Sequence, residues 1–309
     1  MKIDEELACF SSKRESILTI GVFDGVHLGH RYLISSLVEK SRHTGRLSGV
    51  LTFRNHPRSI LDPNFKPSYI TTLSQRIDLI KQLGVDFVIP ISFNTQVSNL
   101  KARDFAFKLT SILNLKEMVF GPDFAMGHQR EGDSNVLSAI GDELGFNIMV
   151  IDPLTNNQGS TIKSTTIRQA IFNGNVTDAG KLLGRNFNIN GEVIKGFGRG
   201  EPMGFPTANI KSAPETIVPG DGIYATWATV EGQRYMSATS IGIRPTFDAS
   251  NRTVETFIID FNGKLYGKQL GLDFVSRIRN EIKFPSIEDL KNQMSQDIEE
   301  TKKILTSFQ

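Results

Sequence analysis

From Ile17 to Ile151, short apolar runs alternate with segments whose apolar residues recur at helical spacing, and this alternation most limits the fold. Ile17–Phe23 is rich in β-branched residues and reads as a strand. Leu33, Ile34, Leu37 and Val38 then share one helical face. Val50–Phe53, Phe87–Ile91, Glu117–Phe120 and Ile148–Ile151 read as further strands. Gln75–Leu83, Ala102–Leu113 and Val136–Leu144 read as the intervening helices. A strand–helix series of this kind predicts a doubly wound parallel sheet covered on both faces, with ligands beyond the carboxyl ends of the strands.

The pattern changes near Leu183. Beyond it, glycine turns and two-residue alternation take over: Ile223, Ala225 and Trp227 alternate with Tyr224, Thr226 and Ala228, and Glu231-Gly232 offers a hairpin turn. That predicts an antiparallel sheet or small barrel. Ile287, Leu290, Met294, Ile298, Thr301 and Leu305 then predict a terminal amphipathic helix. With 309 residues the chain suits two domains, expected at 1–184 and 185–309.

Composition excludes more than it identifies. A net charge of +2 gives no bulk field for nucleic acid or a membrane surface, so anion binding must come from local geometry. A single cysteine, Cys9, forbids an internal disulfide and suits a reducing, cytoplasmic setting. No signal peptide is recognised, and no apolar run approaches the roughly 20 residues of a membrane span. Protein partners stay open.

Gly21-Val-Phe-Asp-Gly-Val-His-Leu-Gly-His30 closes the first strand and opens the first helix. Glycines allow close backbone approach, and a helix N-terminus presents free N–H groups to phosphate. His27 and His30, three apart, both project from that turn. A metal pair is the competing reading, but zinc would want further ligands, and no cysteine or histidine clusters nearby; His56 and His128 are distant in sequence. Ser164-Thr165-Thr166-Ile167-Arg168 opens another helix, with Ser164 and Thr165 as caps. Capping does not explain Arg168, whose charge opposes the helix dipole unless an anion is bound.

Together these segments resemble the His-x-Gly-His nucleotidyltransferases and, more narrowly, the bacterial bifunctional riboflavin kinase/FAD synthetase family. Thr52-Phe-Arg-Asn-His-Pro57 and Phe120-Gly-Pro-Asp-Phe124, continuing to Gly127 and Arg130-Glu-Gly-Asp133, fall in that family's order. Ala125, Met126 and Lys163 stand where the family more usually has arginine, phenylalanine and serine. The resemblance implies a Rossmann-like nucleotidyltransferase domain and then a small β-barrel kinase domain. It implies ATP contacts at Gly21, Phe23, Asp24, Gly25, Gly29, Asn55 and Asp123, with His27, His30, Ser164, Thr165 and Arg168 on the phosphates.

The second half carries Gly196-Phe-Gly-Arg-Gly-Glu-Pro-Met-Gly-Phe-Pro-Thr-Ala-Asn209. It lacks the Gly-Lys-Ser/Thr of a Walker loop. Its ending is similar to the riboflavin kinase motif, which implies an ATP-covering loop at Gly196, Gly198, Arg199, Gly200 and Gly204, and Mg²⁺ held by Thr207 and Asn209. Gly242 to Phe247, Val254 to Phe261, Leu265 to Gly267 and Arg277 to Glu281 follow the same family. Glu201 stands where that loop commonly has arginine. The implied roles are general base for Glu255 and flavin contacts for Arg279 and Glu281. Glu255 is placed on a face with Phe257 and Ile259, read as buried. The expected ligands are riboflavin, FMN, FAD, ATP and Mg²⁺. Two other readings stay open: an adenylyltransferase with a weak kinase domain, and a non-enzymatic flavin or nucleotide sensor.

Overall fold

The computed structural model describes residues 2–10, 12–155, 159–196, 200, 203–243 and 252–307. They form two compact units, one of residues 1–67 and 71–163, the other of 68–70 and 164–309.

The first unit runs α1 (Ile3–Ala8), β1 (Ser16–Ile20), α2 (Leu28–Thr44), β2 (Leu47–Phe53), α3 (Arg58–Leu61), α4 (Leu73–Lys81), β3 (Phe87–Ile91), α5 (Thr95–Ser98), α6 (Ala102–Leu113), β4 (Leu115–Phe120), α7 (Ser134–Leu144) and β5 (Asn147–Val150). All five strands are parallel, in the order β3-β2-β1-β4-β5. β1 is buried along its whole length, as a central parallel strand must be. Its alternate residues enter different cores. Leu18 and Ile20 pack with Leu7, Phe105, Leu109 and Leu137, while Ile17 joins Leu37, Val38 and Val119. Helices therefore cover both faces, as the alternation predicts. The strand order reverses between β1 and β4, so the loops that leave these two strands flank the switch point where such sheets bind ligands. The first strand is shorter than read: Gly21–Phe23 leave it, because Phe23 adopts φ 49°.

The second unit opens with α8 (Ser164–Phe172) and α9 (Val176–Leu183). Six strands follow: β6 (Phe187–Ile194), β7 (Ala208–Ser212), β8 (Gly222–Val230), β9 (Gln233–Ile243), β10 (Arg252–Ile258) and β11 (Gln269–Arg279). They close into a barrel in the order β10-β7-β6-β11-β8-β9. α10 (Ile287–Ser307) ends the unit. Val230 pairs with Gln233 around a two-residue turn in which Glu231 (φ 50°) and Gly232 (φ 83°) are both left-handed, the type that matches strand twist. β8 is buried on both faces from Tyr224 to Ala228. Ala225 and Trp227 pack with Leu305 of α10. Thr226, Ser237, Thr239 and Thr256 are fully buried and bond to one another through their hydroxyls, which ties the register of β8, β9 and β10. One sequence expectation fails here: Ile287, read into the apolar stripe of α10, is 72% exposed, because the first turn projects past the surface the helix covers.

Candidate active sites

The loop after β1 is held from below. Gly21 N–H donates to the Leu51 carbonyl at 3.0 Å. The Val22 carbonyl accepts from Thr52 Oγ1 at 3.0 Å and from Arg76 Nη1 at 2.5 Å. Asp24 Oδ1 accepts from Thr71 N–H at 3.2 Å, and Gly25 N–H donates to Thr71 Oγ1 at 3.1 Å. These bonds hold a strained backbone: Phe23 (φ 49°), Gly25 (φ 79°) and Val26 (φ 40°) all lie in the left-handed region. For a β-branched residue such as Val26 that is costly, about 1–3 kcal/mol, and such strain clusters at ligand sites. The side chains of Phe23 and Val26 pack into a core with Ile34, Val50 and Ile80.

The two histidines act together. His30 N–H donates to His27 Nδ1 at 3.3 Å, so His27 is the N-cap of α2, and when neutral its remaining proton sits on Nε2. The rings stack at 3.6 Å between centroids and 19° between planes. Phe23 meets His30 edge-on at 5.2 Å. His30 Nδ1 is buried with no hydrogen-bond partner among the described residues. Burial first, then His27 and Arg76, hold His30 well below its ordinary value of 6.5. His30 is therefore neutral at pH 7. At Gly29 a side chain would meet the His27 ring at 3.2 Å, so glycine lets the ring lie over the helix start.

The other residues expected here vary in placement. The Asn55 amide bridges strand ends, donating to the Phe93 carbonyl at 2.7 Å and accepting Phe93 N–H at 3.0 Å. Asp123 is exposed, and its carbonyl accepts from Arg130 at 2.9 Å. Glu131 accepts Ala102 N–H at 2.9 Å, and Asp133 caps α7, so the segment from Arg130 to Asp133 braces its neighbours. Ser164 is the first residue of α8 rather than its cap, and Thr165 follows on the first turn. Ser164 and Arg168, both half-buried, share a face of that helix, while Ile167 and Ile171 bury the other.

In the second unit a cavity of about 270 Å³ opens against the barrel. Gly200, Thr207, Glu255, Arg279 and Glu281 all line it. Val254, Thr256 and Ile258 are buried in β10, whereas Glu255 and Phe257 between them are half-buried and face the cavity. Glu255 and Phe257 thus share a face as expected, though Phe257 is half-buried rather than buried, and Ile259 is buried as expected but lies just beyond the strand end. Glu255 pairs in register with Asn209 of β7, which puts the two side chains on one side of the sheet. Asn209 is buried, and a side chain at Gly196 would meet its amide at 2.2 Å. Gly200 is as close-packed, its Cβ position lying 2.1 Å from the Phe205 carbonyl. Gly204 has φ 86°. Gly198, Arg199, Glu201 and residues 244–247 lie outside the described residues. Burial first, then Asp221, raises the Glu281 carboxyl.

A hydroxyl, an amide oxygen and a nearby carboxylate suit Mg²⁺, which takes few protein ligands and keeps phosphate and water oxygens. Thr207, Asn209 and Glu255 fit that description; among the described residues no cluster of histidine, cysteine and acidic side chains suits a transition metal.

Sequence reasoning missed two residues. Arg76 is 1% exposed beneath the first loop, and Asp297 is buried on α10. Their signal was position: Arg76 lies four before buried Ile80, and Asp297 lies four before buried Thr301. Both are charges on an inward helical face.

These features define a chain with a strained loop at the switch point of an α/β unit and a carboxylate-lined cavity on a barrel, an arrangement suited to enzymes that move phosphoryl groups. Residues 9–166 match the FAD synthetase family and residues 183–305 the riboflavin kinase family. Proteins described as bifunctional riboflavin kinase/FMN adenylyltransferase are similar along most of the length. The one from Buchnera aphidicola of Acyrthosiphon pisum is 37% identical over 92% of this chain and 91% of its own. That of Bacillus subtilis is 35% identical over 93% and 91%, and that of Escherichia coli K12 34% over 91% and 90%. A solved structure described as a macrolide-efflux protein from Streptococcus pneumoniae matches with a TM-score of 0.90 at 31% identity, covering 98% of this chain and 97% of that one. No described helix is long and apolar enough to cross a membrane. The chain belongs to the bifunctional riboflavin kinase/FMN adenylyltransferase family.

Proposed function

We propose that this chain phosphorylates riboflavin with ATP and then transfers AMP from a second ATP to the FMN, giving FAD and pyrophosphate. The observation that carries the reading is Glu255 facing the barrel cavity, in register with Asn209 and with Thr207 on the same wall. In the first reaction Glu255 takes the proton of the terminal ribityl hydroxyl as its oxygen attacks the γ-phosphorus, and ADP leaves. Thr207 and Asn209 would hold Mg²⁺, which when bound would neutralise charge on the ATP phosphates. Gly196, Gly198, Arg199, Gly200 and Gly204 are assigned to those phosphates, and Glu281 to the flavin.

In the second reaction a phosphate oxygen of FMN attacks the α-phosphorus of ATP. His27 and His30 donate N–H bonds to the phosphates, with the backbone of Gly21, Phe23, Gly25 and Gly29 in close approach. Asp24 fixes the loop, and Asn55 and Asp123 stand on the nucleotide side. Ser164, Thr165 and Arg168 are assigned to the leaving pyrophosphate. Catalysis is positioning and charge stabilisation, with no covalent enzyme intermediate. The two catalytic domains divide near residue 184 on this reading, supported by the family matches to 9–166 and 183–305. The single cysteine and near-neutral charge support a cytoplasmic enzyme that acts on small molecules rather than on nucleic acid or membrane.

The test is chromatography of products from two incubations with ATP and Mg²⁺, one starting from riboflavin and one from FMN. FMN and FAD from the first, and FAD from the second, are expected. FAD from FMN alone would confine the activity to adenylyl transfer, and no product from either would overturn the reading.

A further inference from the structure

Asp297 is buried on α10 and carries a charge, so its partners matter. Arg279, the last residue of β11, grips it with two parallel bonds: Nε to Oδ1 at 2.8 Å and Nη2 to Oδ2 at 2.7 Å. Gln293 Nε2, one turn earlier, adds a bond to Oδ1 at 3.1 Å. The remaining arm of the guanidinium, Nη1, donates to the Asn280 carbonyl at 3.0 Å. Each nitrogen of Arg279 thus has a partner within the protein, and two of its bonds go to the helix. Two-pronged pairs of this kind fix geometry more firmly than other ion pairs.

Toward its C-terminal end α10 packs through Leu305 onto Ala225, Trp227 and Val275. Toward its N-terminal end Leu290, Met294 and Ile298 line the cavity, so open space separates that face from the barrel. These three residues, at steps of four, make an apolar wall opposite Ile223 and Ala238. A flat, largely apolar ring system suits the gap. Asp297 and Arg279 bridge from helix to barrel beside that wall.

We infer that the Arg279–Asp297 pair positions α10 as one wall of the flavin cavity, which makes Asp297 a positioning residue for riboflavin binding. The inference rests on the assignment of this cavity to riboflavin. Asp297 acts through the helix: both of its oxygens are engaged by Arg279, and its chemistry is not needed for phosphoryl transfer. The dual activity supplies an internal control, because adenylyl transfer from supplied FMN does not use this cavity.

The experiment compares the full-length chain with Asp297→Asn, with the reversed pair Arg279→Asp/Asp297→Arg, and with Leu305→Ala, which loosens α10 away from the cavity. Asp297→Asn is expected to raise the riboflavin KM by about tenfold or more, to leave kcat for FMN formation within about threefold, and to spare FAD formation from FMN. The reversed pair is expected to recover most of the lost KM, and Leu305→Ala to lower the melting temperature without moving KM. An unchanged KM in Asp297→Asn overturns the inference. So does an equal rise in Leu305→Ala, which would make the effect general loosening, or a joint fall of both activities. If the unaltered chain makes no FMN, the kinase reading fails separately. Titration of riboflavin fluorescence then decides: weaker binding by Asp297→Asn upholds the inference, and equal binding overturns it.

Discussion

The loop at His27 and the cavity at Glu255 are built by opposite means. The loop holds its histidines neutral or turned to capping, strains its backbone at Phe23 and Val26, and keeps its cation, Arg76, underneath. The cavity instead keeps carboxylates, Glu255 and Glu281, on an otherwise largely apolar wall, with Asp297 locked by Arg279. On the proposed function one site would stabilise charge that is delivered to it and the other would take a proton, which accords with a first site built from backbone at a strand end and a second built from side chains on a strand face.

Substitutions sharpen that contrast. The largest effect is expected at Glu255→Gln, which removes the base and should slow FMN formation by about 10²–10⁴-fold while sparing FAD formation from FMN. Equal loss of both activities, measured by product chromatography, would make Glu255 a folding residue. Next comes His30→Ala, expected to slow FAD formation by about 10²–10³-fold, in the range of a lost transition-state donor, with FMN formation from riboflavin intact. Unchanged FAD formation would remove His30 from the site. Arg76→Met should cost about 1–3 kcal/mol in denaturant unfolding, because the Val22 carbonyl loses a buried donor, and should depress FAD formation more than FMN formation. Equal depression of both would deny it a particular tie to the first loop.

The smallest effect is one of pH. His30 resists protonation in the fold but not in the unfolded chain, which binds its proton near the ordinary value of 6.5. The unfolded state therefore holds more protons below that value, so this contribution to stability is complete above about pH 6.5 and drains as pH falls. His30→Gln should flatten the acid side of the stability curve in urea melts between about pH 5 and 7. A curve of unchanged slope would mean that His30 is not held neutral.

The sequence made much of this legible, for physical reasons that also mark its limit. Parallel strands buried on both faces read as apolar runs, so β1 and its neighbours were plain. The Glu231-Gly232 turn was legible because only left-handed residues fit it. Closure of the barrel was not, since pairing of β10 with β7 is a long-range contact that leaves no local period. α1, with six residues, is too short to show one. Ile287 misled because an apolar stripe can outrun the surface it covers. Arg76 and Asp297 escaped because periodicity counts apolar residues, and a paired charge on an inward face interrupts the count. The strain at Phe23 and Val26 had no sequence signal beyond the glycines around it.

The central claim is that one chain carries two separable sites, and mixing variants tests it most directly. Purified Glu255→Gln and His30→Ala proteins should each fail to convert riboflavin to FAD, whereas an equimolar mixture with ATP and Mg²⁺ should make FAD, because FMN released by one feeds the other. FAD from either variant alone at the rate of the unaltered chain, or none from the mixture while FMN accumulates, would contradict the account.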